Sequence, residues 1–218
     1  MLDVKYAHLR NSNTLFNYLN NLHSTADKLK EHFVVDIKRV PEFKILRLIR
    51  NYFYHIDDIS EVRVRSEIPS NMFFSHDQMI IIPLEVFAKS VKSFQLKNKS
   101  REKYVKDEFD AIHMHLDYFQ DILDHLEFAS NKPSFKLDGV VYELGFDLYK
   151  AIYNITNYIV SECKKLDALL NKEVIQALDD TYKVENNISK YNLIAPPGTI
   201  VITTMEGLIF PKRCELVK

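Results

Sequence analysis

Apolar stripes with a helical period limit this chain more than any other feature. Leu15, Leu19, Leu22, Ala26, Leu29 and Phe33 step by four and three, so the segment they span is a helix with one buried face. The longest stripe, Val105, Phe109, Ile112, Leu116, Phe119, Leu123 and Leu126, predicts a helix of about 30 residues from Arg101, roughly 45 Å long. Leu144, Leu148, Ile152, Ile155, Ile159 and Cys163 predict another from about Tyr142 to Asn171, with a shorter one following to about Glu185. Only 4 glycines and 7 prolines punctuate 218 residues, and 46% of them are apolar. That composition suits long elements around one sizeable core.

The remaining segments fill in the order. Ser12, Asn13 or Thr14 can cap the first helix. Pro41 suits the first turn of a second, which runs to near Ser60, before the alternating EVRVRSEI, an exposed strand, and the break at Pro69. Ser75 and Gln78 form a capping box for a third helix, bent or restarted at Pro83 and reaching about Gln95, with a strand at MIII as the alternative. Asp138-Gly139 is a hairpin turn signal, and Glu206-Gly207 marks a second small hairpin over Thr199 to Phe210. The predicted fold is all-α: a bundle of five to six helices over residues 1–190, with a C-terminal β-hairpin appendage over 191–218 packed on the same domain.

A net charge of -1 excludes a globally basic nucleic-acid coat, so any nucleic-acid contact is a local patch. Cys163 and Cys214 lack the clustered spacing of zinc sites or a disulfide framework, which points to reduced, structural cysteines. MLDVKYAHLRNSN is not built like a signal peptide. The greasiest run, Met79 to Phe87, is far shorter than the roughly 20 residues of a membrane span. A cytoplasmic protein without membrane contact is expected.

Chemistry concentrates on the second helix, in RLIRNYFYHIDD from Arg47 to Asp58. At 100° per residue, Ile45, Leu46, Ile49, Tyr52, Phe53 and Ile56 share a core face about 120° wide. Arg47, Asn51, Tyr54 and Asp58 lie opposite, flanked by Arg50 and His55. Arg47 and Asn51, Arg50 and Tyr54, and Asn51 and His55 are each one turn apart, while Arg50 and His55 are about 7.5 Å apart along the axis and flank a gap able to hold a phosphate. The plainer reading is a solvated face whose ion pairs are worth about 0–1 kcal/mol.

Arg50-Asn51-Tyr52-Phe53-Tyr54-His55 resembles the R-x4-H motif, with a polar residue after the arginine, of the HEPN superfamily. The resemblance implies a small helical bundle, often dimeric, of the kind found in toxins, phage-defence proteins and RNA-processing machines, whose active members are ribonucleases that need no metal or other cofactor. It makes Arg50, Asn51 and His55 the catalytic candidates. His55 would exchange protons with the RNA 2′-hydroxyl and the leaving 5′-oxygen. Arg50 would stabilise charge on the phosphate, and Asn51 would orient His55 or bind a phosphate oxygen. The products would be a 2′,3′-cyclic phosphate and a 5′-hydroxyl. Because one helix supplies one histidine, the resemblance implies a homodimer with a composite site. The chain departs from the family where many members carry the motif on a late helix, and at Asp57, where some toxin subfamilies have tyrosine. The alternative function is a catalytically silent helical module: an antitoxin, a complex subunit or an RNA-binding adaptor.

Between residues 89 and 106, Lys89, Lys92, Lys97, Lys99, Arg101, Lys103 and Lys106 face only Glu102. With Arg47 and Tyr54, the residues Lys97, Lys99, Arg101 and Lys103 form the candidate RNA-binding set, against the plainer reading of a solvated basic loop. The next stretch is acidic. His113, Asp117, Asp121 and His125 have chelating helical spacing, but a solvated or partner-binding face is the favoured reading and no metal site is assigned. No phosphate-cradling glycine loop and no G-x-S-x-G elbow occur.

Overall fold

A computed structural model describes residues 14–65, 73–74, 78–113, 133–179, 182, 184–188, 193–194 and 201–211. The protein is mostly helical, with small antiparallel sheets that an all-α reading leaves out. Helix α1 (Thr14–Phe33) buries Leu15, Leu19, Leu22, Ala26 and Leu29 of the predicted stripe, while Phe33 at its end is partly buried. A helical turn at Ile37–Arg39 leads to α2 (Pro41–His55), with Pro41 in its first turn.

Helix α2 packs against α1 and against three later helices: α3 (Leu84–Lys97), α4 (Glu102–His113) and α5 (Tyr149–Lys164). Being flanked on several sides widens its apolar surface beyond one stripe. Phe43 and Leu48 are buried with Ile45, Leu46, Ile49 and Tyr52, whereas Ile56 is exposed. The helix ends at His55, short of the expected Ser60, where Ile56 leaves helical geometry and the Asp57 carboxylate accepts the Asp58 backbone N–H at 2.8 Å. Such local bonds compete with the helical ladder. Asp58 is therefore not on the helix.

Residues 78–83 form a strand rather than the start of the third helix. Strand β3 (Gln78–Pro83) lies between β1 (Val62–Arg65) and β6 (Gly145–Asp147), antiparallel to both. Met79, Ile80, Ile81 and Ile82 are all buried, so the run is continuously apolar instead of helically periodic, and β-branched residues favour the pleated surface. Pro83 then opens the way into α3. The capping-box residue Ser75 lies outside the described residues, as does the predicted helix beyond His113. A short pair joins β2 (Phe73–Phe74) to a strand at Leu193–Ile194, β7.

The hairpin of β4 (Ser134–Leu137) and β5 (Val140–Glu143) turns at Asp138-Gly139, with φ of 48° and 83°. Positive φ at both central residues makes a twist-matched two-residue turn. The end of this expected hairpin, from Tyr142, and β6 occupy residues assigned from sequence to the start of the fifth helix, so α5 begins at Tyr149. The Asp147 carboxylate accepts the Tyr149 and Ile80 backbone N–H groups at 2.8 and 3.1 Å, tying the helix start to β3. Helix α5 stops at Lys164, and two short helices, α6 (Asp167–Leu170) and α7 (Glu173–Asp179), replace the predicted continuation.

Strands β8 (Ile202–Thr204) and β9 (Gly207–Ile209) pair within the expected C-terminal hairpin. They are joined to the rest: Leu144 bridges Thr204, and the Met205 N–H donates to Glu143 O at 3.0 Å. Gly145 permits this approach, since a Cβ there would lie 2.2 Å from Ile81 Cγ2 and 3.0 Å from the Thr204 carbonyl carbon. Among the described residues no helix is long and apolar enough to cross a membrane.

Candidate functional site

The polar residues of α2 divide between two sides of the helix. On the α1 side, Arg50 Nε donates to Asn20 Oδ1 at 3.0 Å, and the Tyr54 hydroxyl donates to the same oxygen at 2.9 Å. The guanidinium carbon lies 4.4 Å from the centre of the Tyr54 ring, so the predicted one-turn pairing of Arg50 with Tyr54 is a cation–π contact. Phe16 packs against both Phe53 and Tyr54, with ring centres 5.4 and 5.2 Å away. Arg50 is thus held in one orientation by a residue on α1 that the sequence reading missed.

Asn20 belongs to a second overlooked group. Asn20, His23 and Asp27 step by three and four along α1, a polar flank beside its apolar stripe. The His23 ring packs 4.8 Å from Phe43. Burial, and then the charges of Arg50, Lys38 and Arg47, push its pKa from 6.5 down to about 4. His23 is therefore neutral near pH 7, and its buried Nε2 has no hydrogen-bond partner among the described residues. Lys38 bonds to the exposed Asp27 carboxylate and holds its pKa below the ordinary value.

On the other side, Arg47 pairs with Glu108 of α4, which Lys44 also reaches at 3.2 Å. Glu108 is buried, and two cations on one carboxylate leave one net positive charge. Next to this triad, a cleft of about 230 Å³ opens between α2, α3 and α4. Arg47, Asn51, Ser90, Ser93, Lys97, Asn98 and Tyr104 supply its polar wall, and Leu48, Tyr52, Ile56 and Phe94 its apolar one.

His55 is the last residue of α2 and is exposed, its ring centre 6.4 Å from that of Tyr54. Among the described residues, no hydrogen bond joins it to Asn51. Five residues of helix turn Arg50 and His55 about 140° apart around the axis. Arg50 accordingly faces α1, whereas Asn51 lines the cleft one turn before His55.

The basic segment divides too. Lys97 lines the cleft, and Arg101 stacks on Tyr104 with its guanidinium carbon 4.3 Å from the ring centre. Lys99 lines a larger adjoining groove of about 430 Å³ that shares Asn98. Lys103 is exposed on the first turn of α4 and lines neither. Of the proposed chelating set only His113 is described, and Asp117, Asp121 and His125 lie outside the described residues. The described side chains offer a fixed arginine, an accessible imidazole and a polar cleft bearing Lys97, chemistry suited to a phosphate ester. No protein-family model matches the chain, and no curated protein or solved structure matches it.

Proposed function

We propose that the protein is an HEPN-like, metal-independent endoribonuclease of the toxin or phage-defence type. The same reading takes the helices as one five- to six-helix bundle with the C-terminal hairpin as its appendage. One observation carries it: Arg50 is fixed through its Nε and its ring contact with Tyr54, while His55, five residues on, ends the helix in solvent. A guanidinium tethered in this way meets a phosphate with its orientation already set. An accessible imidazole can take the 2′-hydroxyl proton and return one to the 5′-oxygen.

The two groups diverge around a single helix, so a composite site places the Arg50 side of one copy against the His55 side of another across a two-fold axis. The bond broken is P–O5′ and the bond formed is P–O2′. In EDTA, the wild-type protein should cleave RNA to 2′,3′-cyclic phosphate and 5′-hydroxyl ends. His55→Ala and Arg50→Ala should each lower the rate by at least about 10²-fold, the ordinary scale of general acid–base catalysis, with unchanged circular dichroism. Cleavage that survives either substitution rejects the assignment.

A second reading, a silent RNA-binding or partner-binding module, is favoured by two observations. No described residue orients the His55 imidazole by a hydrogen bond, and Arg47 is committed to Glu108. Folded wild-type protein that binds RNA without cutting it selects this reading.

A further inference from the structure

The cleft between α2, α3 and α4 has donors to spare. The Asn51 carboxamide, the Ser93 and Tyr104 hydroxyls and the Lys97 ammonium make no hydrogen bond or ion pair with other described residues, and all four line one space. Among the described residues no carboxylate lines it. The nearest carboxylate in the network, Glu108, is already outbalanced by Lys44 and Arg47. Three groups able to donate and one ammonium that can only donate, in a partly apolar cleft, suit an anion with several oxygens.

Size limits that anion. A space of about 230 Å³ falls below the roughly 300–1,000 Å³ of pockets that enclose whole drug-sized ligands. It takes one tetrahedral oxyanion and part of what the oxyanion is attached to. Beyond the cleft, Arg101 lies over Tyr104, and Lys99 and Lys106 line the adjoining groove together with Glu102 and Asp110. The cations Arg101 and Lys99 next to a single-anion seat suit a strand with repeated phosphates more than a small metabolite.

We infer that this cleft seats one backbone phosphate of a single-stranded RNA, with Lys97 as its cation and Asn51, Ser93 and Tyr104 as its hydrogen-bond donors. The strand then continues across Arg101 and Lys99. His55 directly precedes Ile56, which lines the cleft, so a phosphate seated here fixes the strand beside the imidazole. The inference shares with the proposed function only that the ligand is RNA, and it does not require cleavage.

A short 2′-O-methyl RNA oligonucleotide, which cannot be cut by 2′-oxygen attack, isolates binding from catalysis. Wild-type protein should bind it in fluorescence anisotropy. Lys97→Glu and Ser93→Leu, the second filling the cleft, should each weaken binding about tenfold. Lys97→Glu should also flatten the dependence of log K on log salt by about 0.7, one phosphate contact on a single strand. Lys172→Glu, a charge-matched change at an exposed site between α6 and α7, should bind within twofold of wild type. Equal binding by wild type and both cleft variants overturns the inference, as does inorganic phosphate displacing the oligonucleotide at micromolar concentration, which marks a small-anion site instead. Loss of binding in the variants of a protein that never cuts RNA leaves the cleft standing and removes the nuclease reading.

Discussion

His23 and Glu108 show how single residues set the charge around α2. The folded His23 pKa of about 4 lies below its unfolded value of 6.5. Between those values the unfolded chain binds the extra proton, so stability is complete above about pH 6.5 and falls as pH drops toward 4. The full shift is worth about 3 kcal/mol, but the ring is only partly shielded from solvent, and we expect about 1–2 kcal/mol. Urea midpoints at pH 7 and pH 4.5 should show that loss, and His23→Gln should reduce it. Asp27 and Asp36, held low by Lys38 and Lys30 respectively, add their own losses only in more acidic solution. Glu108 was legible merely as one of several acids on α4. Its role as the anchor for Lys44 and Arg47 depends on packing between distant residues, Arg47 being 61 positions away, which no local pattern carries. Arg50 and Tyr54 were legible as a pair from helical spacing alone, whereas their shared acceptor, Asn20, comes from another element.

The stripe on α1 was read to its length, whereas the stripe through α5 has one period and still misplaced both ends of the helix. The stripe on α1 appears in the structure because a peripheral helix buries one face. Helix α2 has several neighbours, so Leu48, off the predicted stripe, is buried as deeply as Ile49. The run at 79–82 was ambiguous because four consecutive apolar residues fit both a buried strand and a buried helix. The sheet that resolves it requires β1 and β6, far away in sequence. At the turns, two glycines should respond differently to alanine. Gly139→Ala meets open space and should cost about 1 kcal/mol, from its φ of 83° alone. Gly145→Ala drives a methyl into Ile81 and the Thr204 backbone and should cost about 2 kcal/mol or more. Thermal melts of both variants test the order, and a larger loss at Gly139 would contradict the described packing of β6 on β8.

For the molecule as a whole, the divergence of Arg50 and His55 makes association the decisive property. If the composite site is right, light scattering of the active protein should give twice the 25.6 kDa chain mass, and an active monomer would exclude it. Connectivity has another outcome, in time rather than in charge or space. The bridge between Leu144 and Thr204 joins strands about sixty positions apart, so its loop-closure entropy is met before any contact there rewards it. The helices can form from local contacts, but β6, the outer strand beside β3, keeps an open edge until the C-terminal strands arrive. For that interval it is a strand edge open to pairing with a neighbour.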